Sequence, residues 1–181
     1  MTHRRRPSRR EFVALLAAAA PALALPRKLA AARAESRSLA FIHTHTGEHL
    51  SIEYARDGAY IPEALETINH YLRDFRTGEV HPIDERLLDL LHELARTTGT
   101  TEPFQVISGY RSPATNAMLR ARSEGVASGS LHMVGQAIDI RLADVPLARL
   151  RHAALDLREG GVGFYPASDF VHVDTGRVRV W

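Results

Sequence analysis

No cysteine occurs among the 181 residues, and this absence constrains the fold more than any residue the chain contains. No disulfide can staple it, and no thiolate can bind a metal or act as a nucleophile. Its stability must come from an apolar core, and about 150 residues suffice to bury one.

The first 34 residues stand apart from the rest. Arg4, Arg5 and Arg6 precede Ser8, Arg9, Arg10, Glu11 and Phe12, and the apolar run Val13–Leu25 follows. A basic stretch before an apolar run too short to span a bilayer comfortably reads as an export signal. The Ser-Arg-Arg-x-Phe order is similar to a twin-arginine signal. Small-residue cleavage sites fall at 22–24 and 32–34, the second matching the change in composition; left uncleaved, the segment would anchor the chain. Residues 1–34 hold eight of the 23 Lys/Arg and one of the 21 Asp/Glu. Residues 35–181 therefore carry 15 bases against 20 acids, a net charge of −5. The basic character belongs to the signal, so nothing points to nucleic acid. The expected mature chain is periplasmic, monomeric and without a membrane span.

Periodicity predicts mixed elements. Leu39–Thr44 and His49–Ala55 read as a hairpin. Helices are expected from Pro62 to about Phe75 and from about Ile83 to Thr98, with Gly99 as the stop. Phe104–Ser108 reads as a buried strand, followed by a helix with Ser112 as N-cap and Pro113 as first residue. A Gly/Ser loop over 123–130 leads to a strand ending at Arg141 and a helix over Val145–Arg158. Strands follow at Val162–Tyr165, Phe170–Asp174 and Arg177–Trp181. Elements mixed without regular alternation indicate an α+β domain over 35–181, a small antiparallel sheet with helices on one side.

The chemistry concentrates in two segments. In the strand ending at Arg141, Ile138 and Ile140 face one side while Ala137 and Asp139 face the other. His132 lies on the turn before it, and Gly135 permits a sharp bend. In Phe170–Asp174, His172 and Asp174 share a face. His132, Asp139 and His172 form a complete ligand set for a catalytic zinc, which takes three protein ligands and keeps one position open. His43, His45 and His49 have no acid or cysteine ligand pattern beside them and read as exposed polar residues, and His70, His81, His92 and His152 read as surface residues. Trp181 reads as packing on the core edge, and Tyr165 as groove or packing.

Further residues extend the pattern: Ser108, Gly109, Tyr110, Arg111 and Ser112; Ser130, His132, Gly135, Ala137 and Asp139; Gly160 to Tyr165; and His172 with Asp174. Together they resemble the zinc D-Ala-D-Ala metallopeptidases and murein endopeptidases, a superfamily with VanX- and VanY-like enzymes and lysostaphin and hedgehog relatives. The nearest likeness is to exported YcbK-like murein endopeptidases, over about residues 38–181. The resemblance implies Zn²⁺ on His132, Asp139 and His172, and hydrolysis of the peptide crosslinks of peptidoglycan, whose stem peptides are the partner. Arg111 would stabilise the oxyanion or hold a stem-peptide carboxylate; Ser130 and Tyr110 are candidate substrate contacts. For the general base there are two candidates. Asp169 occupies the position three residues before the last histidine, where VanX-like relatives carry glutamate. Asp174 shares the face of His172 and is favoured for that reason, with orientation of His172 as its other role. A D,D-carboxypeptidase or dipeptidase, or a non-catalytic zinc-containing wall-binding module, are the competing functions.

Overall fold

Alternating apolar residues in the first two strands produce the expected hairpin. β1 (Ser36–His43) and β2 (His49–Arg56) pair antiparallel, with Leu39 opposite Ile52 and Phe41 opposite Leu50. The computed structural model describes residues 35–122 and 125–181, so the expected export segment lies outside the described residues. A two-residue β3 (Ala59–Tyr60) follows, then α1 (Pro62–Tyr71) and α2 (Glu85–Thr98). Asp84 caps α2 by accepting from the Arg86 N–H at 3.0 Å, and Gly99 ends it at φ 69°. In that left-handed conformation a side chain would be strained. β4 (Phe104–Ser108) leads to α3 (Pro113–Arg122), which Ser112 caps through its hydroxyl on the Thr115 N–H at 3.2 Å. β5 (Ala137–Arg141), α4 (Leu147–Leu157), β6 (Gly161–Tyr165), β7 (Phe170–Asp174) and β8 (Arg179–Val180) complete the domain.

The eight strands form one sheet in the order β3-β2-β1-β4-β5-β7-β6-β8. The fold is α+β, but the sheet is larger than expected and mixed. β1 pairs with β4 in parallel, and β6 with β8. The chain travels from β2 through α1 and α2 before it returns as β4, and a crossover of that length permits a parallel neighbour. α1 packs on β2, α2 on β1 and α4, and α4 on β6 and β7. Their apolar stripes share one core with Leu39, Phe41, Val106, Ile138, Ile140, Val162, Val171 and Val173.

α1 stops four residues earlier than its apolar spacing suggested. The Leu72 carbonyl accepts the Tyr110 N–H at 2.8 Å. Asp74, fully buried, accepts the N–H groups of Arg76 and Ser112 at 2.9 Å each. A tertiary contact outbids continued helix here, which local periodicity does not register.

Candidate metal centre

Register brings the site together. In the antiparallel pair β5–β7, Ile138 lies opposite Val173 and Ile140 opposite Val171, all toward the helices. The intervening pair, Asp139 opposite His172, therefore points to the other face. Directly opposed residues have Cβ atoms about 5 Å apart, within reach of a shared ion. On the far side of His172 stands Gly163 of β6. His132 arrives from a 3-10 turn, Leu131–Val134, which ends at Gly135 with φ 67°. That turn is docked on the segment before α2, where the Gly135 carbonyl accepts the Asp84 N–H at 3.0 Å. A Cβ on Gly135 would lie 2.1 Å from the Pro82 oxygen, so only glycine fits.

Three ligand-type atoms converge. His132 Nε2 lies 3.2 Å from His172 Nδ1 and 3.3 Å from Asp139 Oδ1, and His172 Nδ1 is 2.9 Å from that same oxygen. The other ring nitrogens identify the tautomers. His132 Nδ1 is 2.8 Å from the Gly109 carbonyl, which can only accept, so this nitrogen carries the proton. His172 Nε2 is 3.0 Å from Asp174 Oδ2 and donates to it. With both imidazoles neutral, two nitrogen lone pairs and a carboxylate oxygen face one another with no hydrogen between them. Three acceptors so arranged repel unless a cation sits among them. Tetrahedral zinc with bonds of about 2.0–2.1 Å spaces its ligand atoms about 3.3 Å apart, so the donor set and its spacing fit that ion. Among the described residues these three are the group able to hold a metal.

The charges around the triangle favour a positive charge within it, whether a proton or a metal ion. Burial opposes a charge on Asp139, but the His132 and His172 imidazoles hold its carboxyl below the usual carboxylate range. His172 feels the reverse balance: burial opposes its protonation, and the Asp139 and Asp174 carboxylates outweigh burial.

Behind His172, Asp174 is fully buried at 0% exposure. Its Oδ1 accepts from the Gly161 N–H at 3.0 Å, the Gly176 N–H at 2.9 Å and Arg179 Nη1 at 3.0 Å. Its Oδ2 accepts from Arg179 Nη2 at 2.7 Å as well as from His172. These partners overcome the cost of burial and keep its carboxyl well below its ordinary value. A carboxylate–histidine–metal arrangement of this kind fixes the ring and raises its basicity. Asp174 does share the face of His172, as strand alternation predicted, but its oxygens are already engaged and it does not line the cavity. The Gly160–Gly163 run now has a physical reason as well. A Cβ at Gly160 would meet the Asp174 carbonyl, one at Gly161 the Asp174–Arg179 pair, and one at Gly163 the Trp181 ring.

The ligand triangle floors a cavity of about 430 Å³. Arg111 and Ser130 line it. Arg111 is nearly buried, with Nη2 3.5 Å from both Asp139 Oδ2 and Ser108 Oγ, and among the described residues its Nε has no partner. A buried cation so loosely held is suited to receive an incoming negative oxygen. A shift of register between Val106 and Ser108 brings Ser108 opposite Asp139 and so helps form this corner. Tyr110 is elsewhere, buried with its ring stacked on His81 at 4.9 Å. Asp169 is 64% exposed and paired with Arg141 at 2.9 Å, yet its neighbours Ser168 and Phe170 both line the cavity. His43, expected at the surface, is buried against Tyr71 and Phe75. Trp181 lines the cavity instead of the core edge, and Arg179 joins it. Neither was legible beforehand, because both depend on how β8 pairs.

A family model described as peptidoglycan L,D-endopeptidase MepK matches residues 31–181. The peptidoglycan L,D-endopeptidase MepK of Escherichia coli strain K12 is 44% identical over 176 residues, which cover 96% of this chain and 97% of that protein. The probable peptidoglycan L,D-endopeptidase MepK of Haemophilus influenzae is 44% identical over 146 residues, 80% of this chain and 78% of its own length. The likeness read from the histidine, aspartate and arginine motifs was therefore to the right family, and the chain belongs to the peptidoglycan L,D-endopeptidase MepK family of peptidases.

Proposed function

We propose that the chain is a zinc-dependent endopeptidase of the periplasm that hydrolyses peptide crosslinks of peptidoglycan, acting as its relatives' name states, on a bond between an L and a D centre. Residues 1–34 are proposed as its twin-arginine-type export signal. The observation that carries the reading is the triangle of three mutually facing acceptors, His132 Nε2, His172 Nδ1 and Asp139 Oδ1, at the floor of an accessible cavity. Zinc held there would lower the pKa of a water toward neutrality and polarise a carbonyl.

The protein's own groups divide the remaining work. The Arg111 guanidinium, short of partners, steadies the negative oxygen that develops on the substrate carbonyl or holds a carboxylate beside it. The Ser130 hydroxyl does not cap the turn it precedes, which leaves it for the substrate main chain. Asp174 keeps His172 turned toward Asp139. Asp169 then takes the proton-handling role: it stands in the sequence between the cavity-lining Ser168 and Phe170, and among the described residues its carboxylate is engaged by an exposed ion pair with Arg141. A loosely held acid can approach a reacting proton in the substrate complex.

The test is incubation of purified crosslinked peptidoglycan with the protein, with chelator, and with chelator followed by zinc. Crosslinked fragments that become monomers, blocked by chelator and restored by zinc, are the expected result. Release of D-alanine alone would make the enzyme a carboxypeptidase. No metal-dependent change in products would leave a wall-binding module.

A further inference from the structure

We infer that Trp181 is the specificity-determining wall of the metal cavity, the surface that presses the carbon side of the substrate peptide into register; this rests on the peptidase reading above. Trp181 follows β8 and is held to β6 on both sides of Gly163. Its N–H donates to the Val162 carbonyl at 3.2 Å, and its carbonyl accepts the Phe164 N–H at 3.1 Å. The indole lies against Gly163, where an added Cβ would come within 2.7 Å of Cε2 and 2.8 Å of Nε1. Because Gly163 stands beside His172 in the sheet, the indole comes to the level of the metal ligands. The two ring centres are 5.2 Å apart.

Three further contacts fix the ring. Nε1–H donates to the Tyr165 hydroxyl at 2.7 Å, and Tyr165 stacks on Phe170 at 4.6 Å. The Arg179 guanidinium lies 4.8 Å from the indole centre. A ring restrained this way has little rotamer freedom left to lose, yet it is 46% exposed and lines the cavity. Core packing explains neither the exposure nor the missing side chain at Gly163. A rigid apolar surface beside convergent polar groups is how a pocket selects an extended peptide. Arg111 and Ser130 would hold the oxygens of the substrate, and the indole its α-carbons and aliphatic side chains.

The test uses the full zinc-loaded chain and a purified crosslinked muropeptide. Trp181→Ala is expected to raise KM about tenfold or more, with kcat and zinc affinity within about threefold. Trp181→Phe should return KM to within about threefold of the original. Gly163→Ala should reproduce the KM increase by displacing the indole, and it decides the matter if Trp181→Ala melts below the assay temperature. Trp181 is the only tryptophan in the sequence, so muropeptide titrated into the metal-free protein should shift its emission saturably. Unchanged KM in both variants, or a loss confined to kcat or zinc affinity, would overturn the inference. Failure of the unmodified protein to cleave would instead overturn the peptidase reading.

Discussion

Replacing Asp174 by asparagine separates orientation of a ligand from acid–base chemistry. The native carboxylate accepts five hydrogen bonds: two from backbone amides, two from Arg179 and one from His172. In Asp174→Asn the remaining carbonyl oxygen can keep the two amides and Arg179 Nη1. The new NH₂ group then faces Arg179 Nη2 and His172 Nε2–H, so two donors meet a donor. A charge-assisted hydrogen bond contributes about 1.5–3 kcal/mol net, and the share of the partly exposed Arg179 is smaller because water screens it. The metal-free protein should lose about 2–4 kcal/mol. For a domain of about 150 residues this lowers the melting temperature by roughly 5–15 °C. His172 also loses the acceptor that fixes its tautomer, so zinc affinity should fall about 10- to 100-fold. Thermal melts in chelator and competition against a chromophoric zinc chelator measure the two effects. If melting temperature and zinc affinity both hold while kcat drops a hundredfold, Asp174 is the proton acceptor and the orienting argument fails.

Asp169→Asn should behave oppositely, lowering kcat about 10²–10⁴-fold with melting temperature and zinc affinity nearly unchanged; equal activity would remove Asp169 from the chemistry. Zinc at 100 times its dissociation constant should add about 2.7 kcal/mol of stability, and calorimetry of His132→Ala should show that gain abolished. The folded-state pKa of Asp174 lies below its ordinary value of 3.8. Its contribution is therefore complete above that pH and is lost as the pH falls further, toward the folded value. Acid melts of the metal-free protein should show this decline, and the decline should be smaller in Asp174→Asn. Arg111→Lys keeps the charge but not the planar fork; a steady-state assay should show kcat/KM reduced at least tenfold, and full activity would argue against contact with substrate.

The faces of β5 and β7 were legible because alternation needs only local sequence, and Ile138 with Ile140 settle which side is buried. The register between those strands was not. Nothing local states that Asp139 stands opposite His172, although the shared need for one ion implied it. Asp174 marks where local pattern ends, since its facing direction follows from strand alternation and its partners do not. Arg179 and Gly176 approach it only after the chain has turned past β7. Trp181 escaped for the same reason, and His43 because its cover comes from α1 and the segment after it. The parallel pairing of β1 with β4 likewise depends on a crossover that periodicity cannot route.

Arg111 and His132 are joined by a reciprocal clamp. The Arg111 N–H donates to the His132 carbonyl at 3.1 Å, and the His132 ring bonds back to the Gly109 carbonyl at 2.8 Å. Main-chain atoms make three of these four positions, so the spacing between Arg111 and the His132 ring owes little to the residues in between. Gly125, Val126, Ala127 and Gly129 belong to that intervening stretch and line the cavity without supplying a ligand atom. They can be exchanged or lengthened while the metal corner keeps its dimensions. The lining of the cavity can therefore vary in this loop while the Arg111–His132 spacing stays fixed.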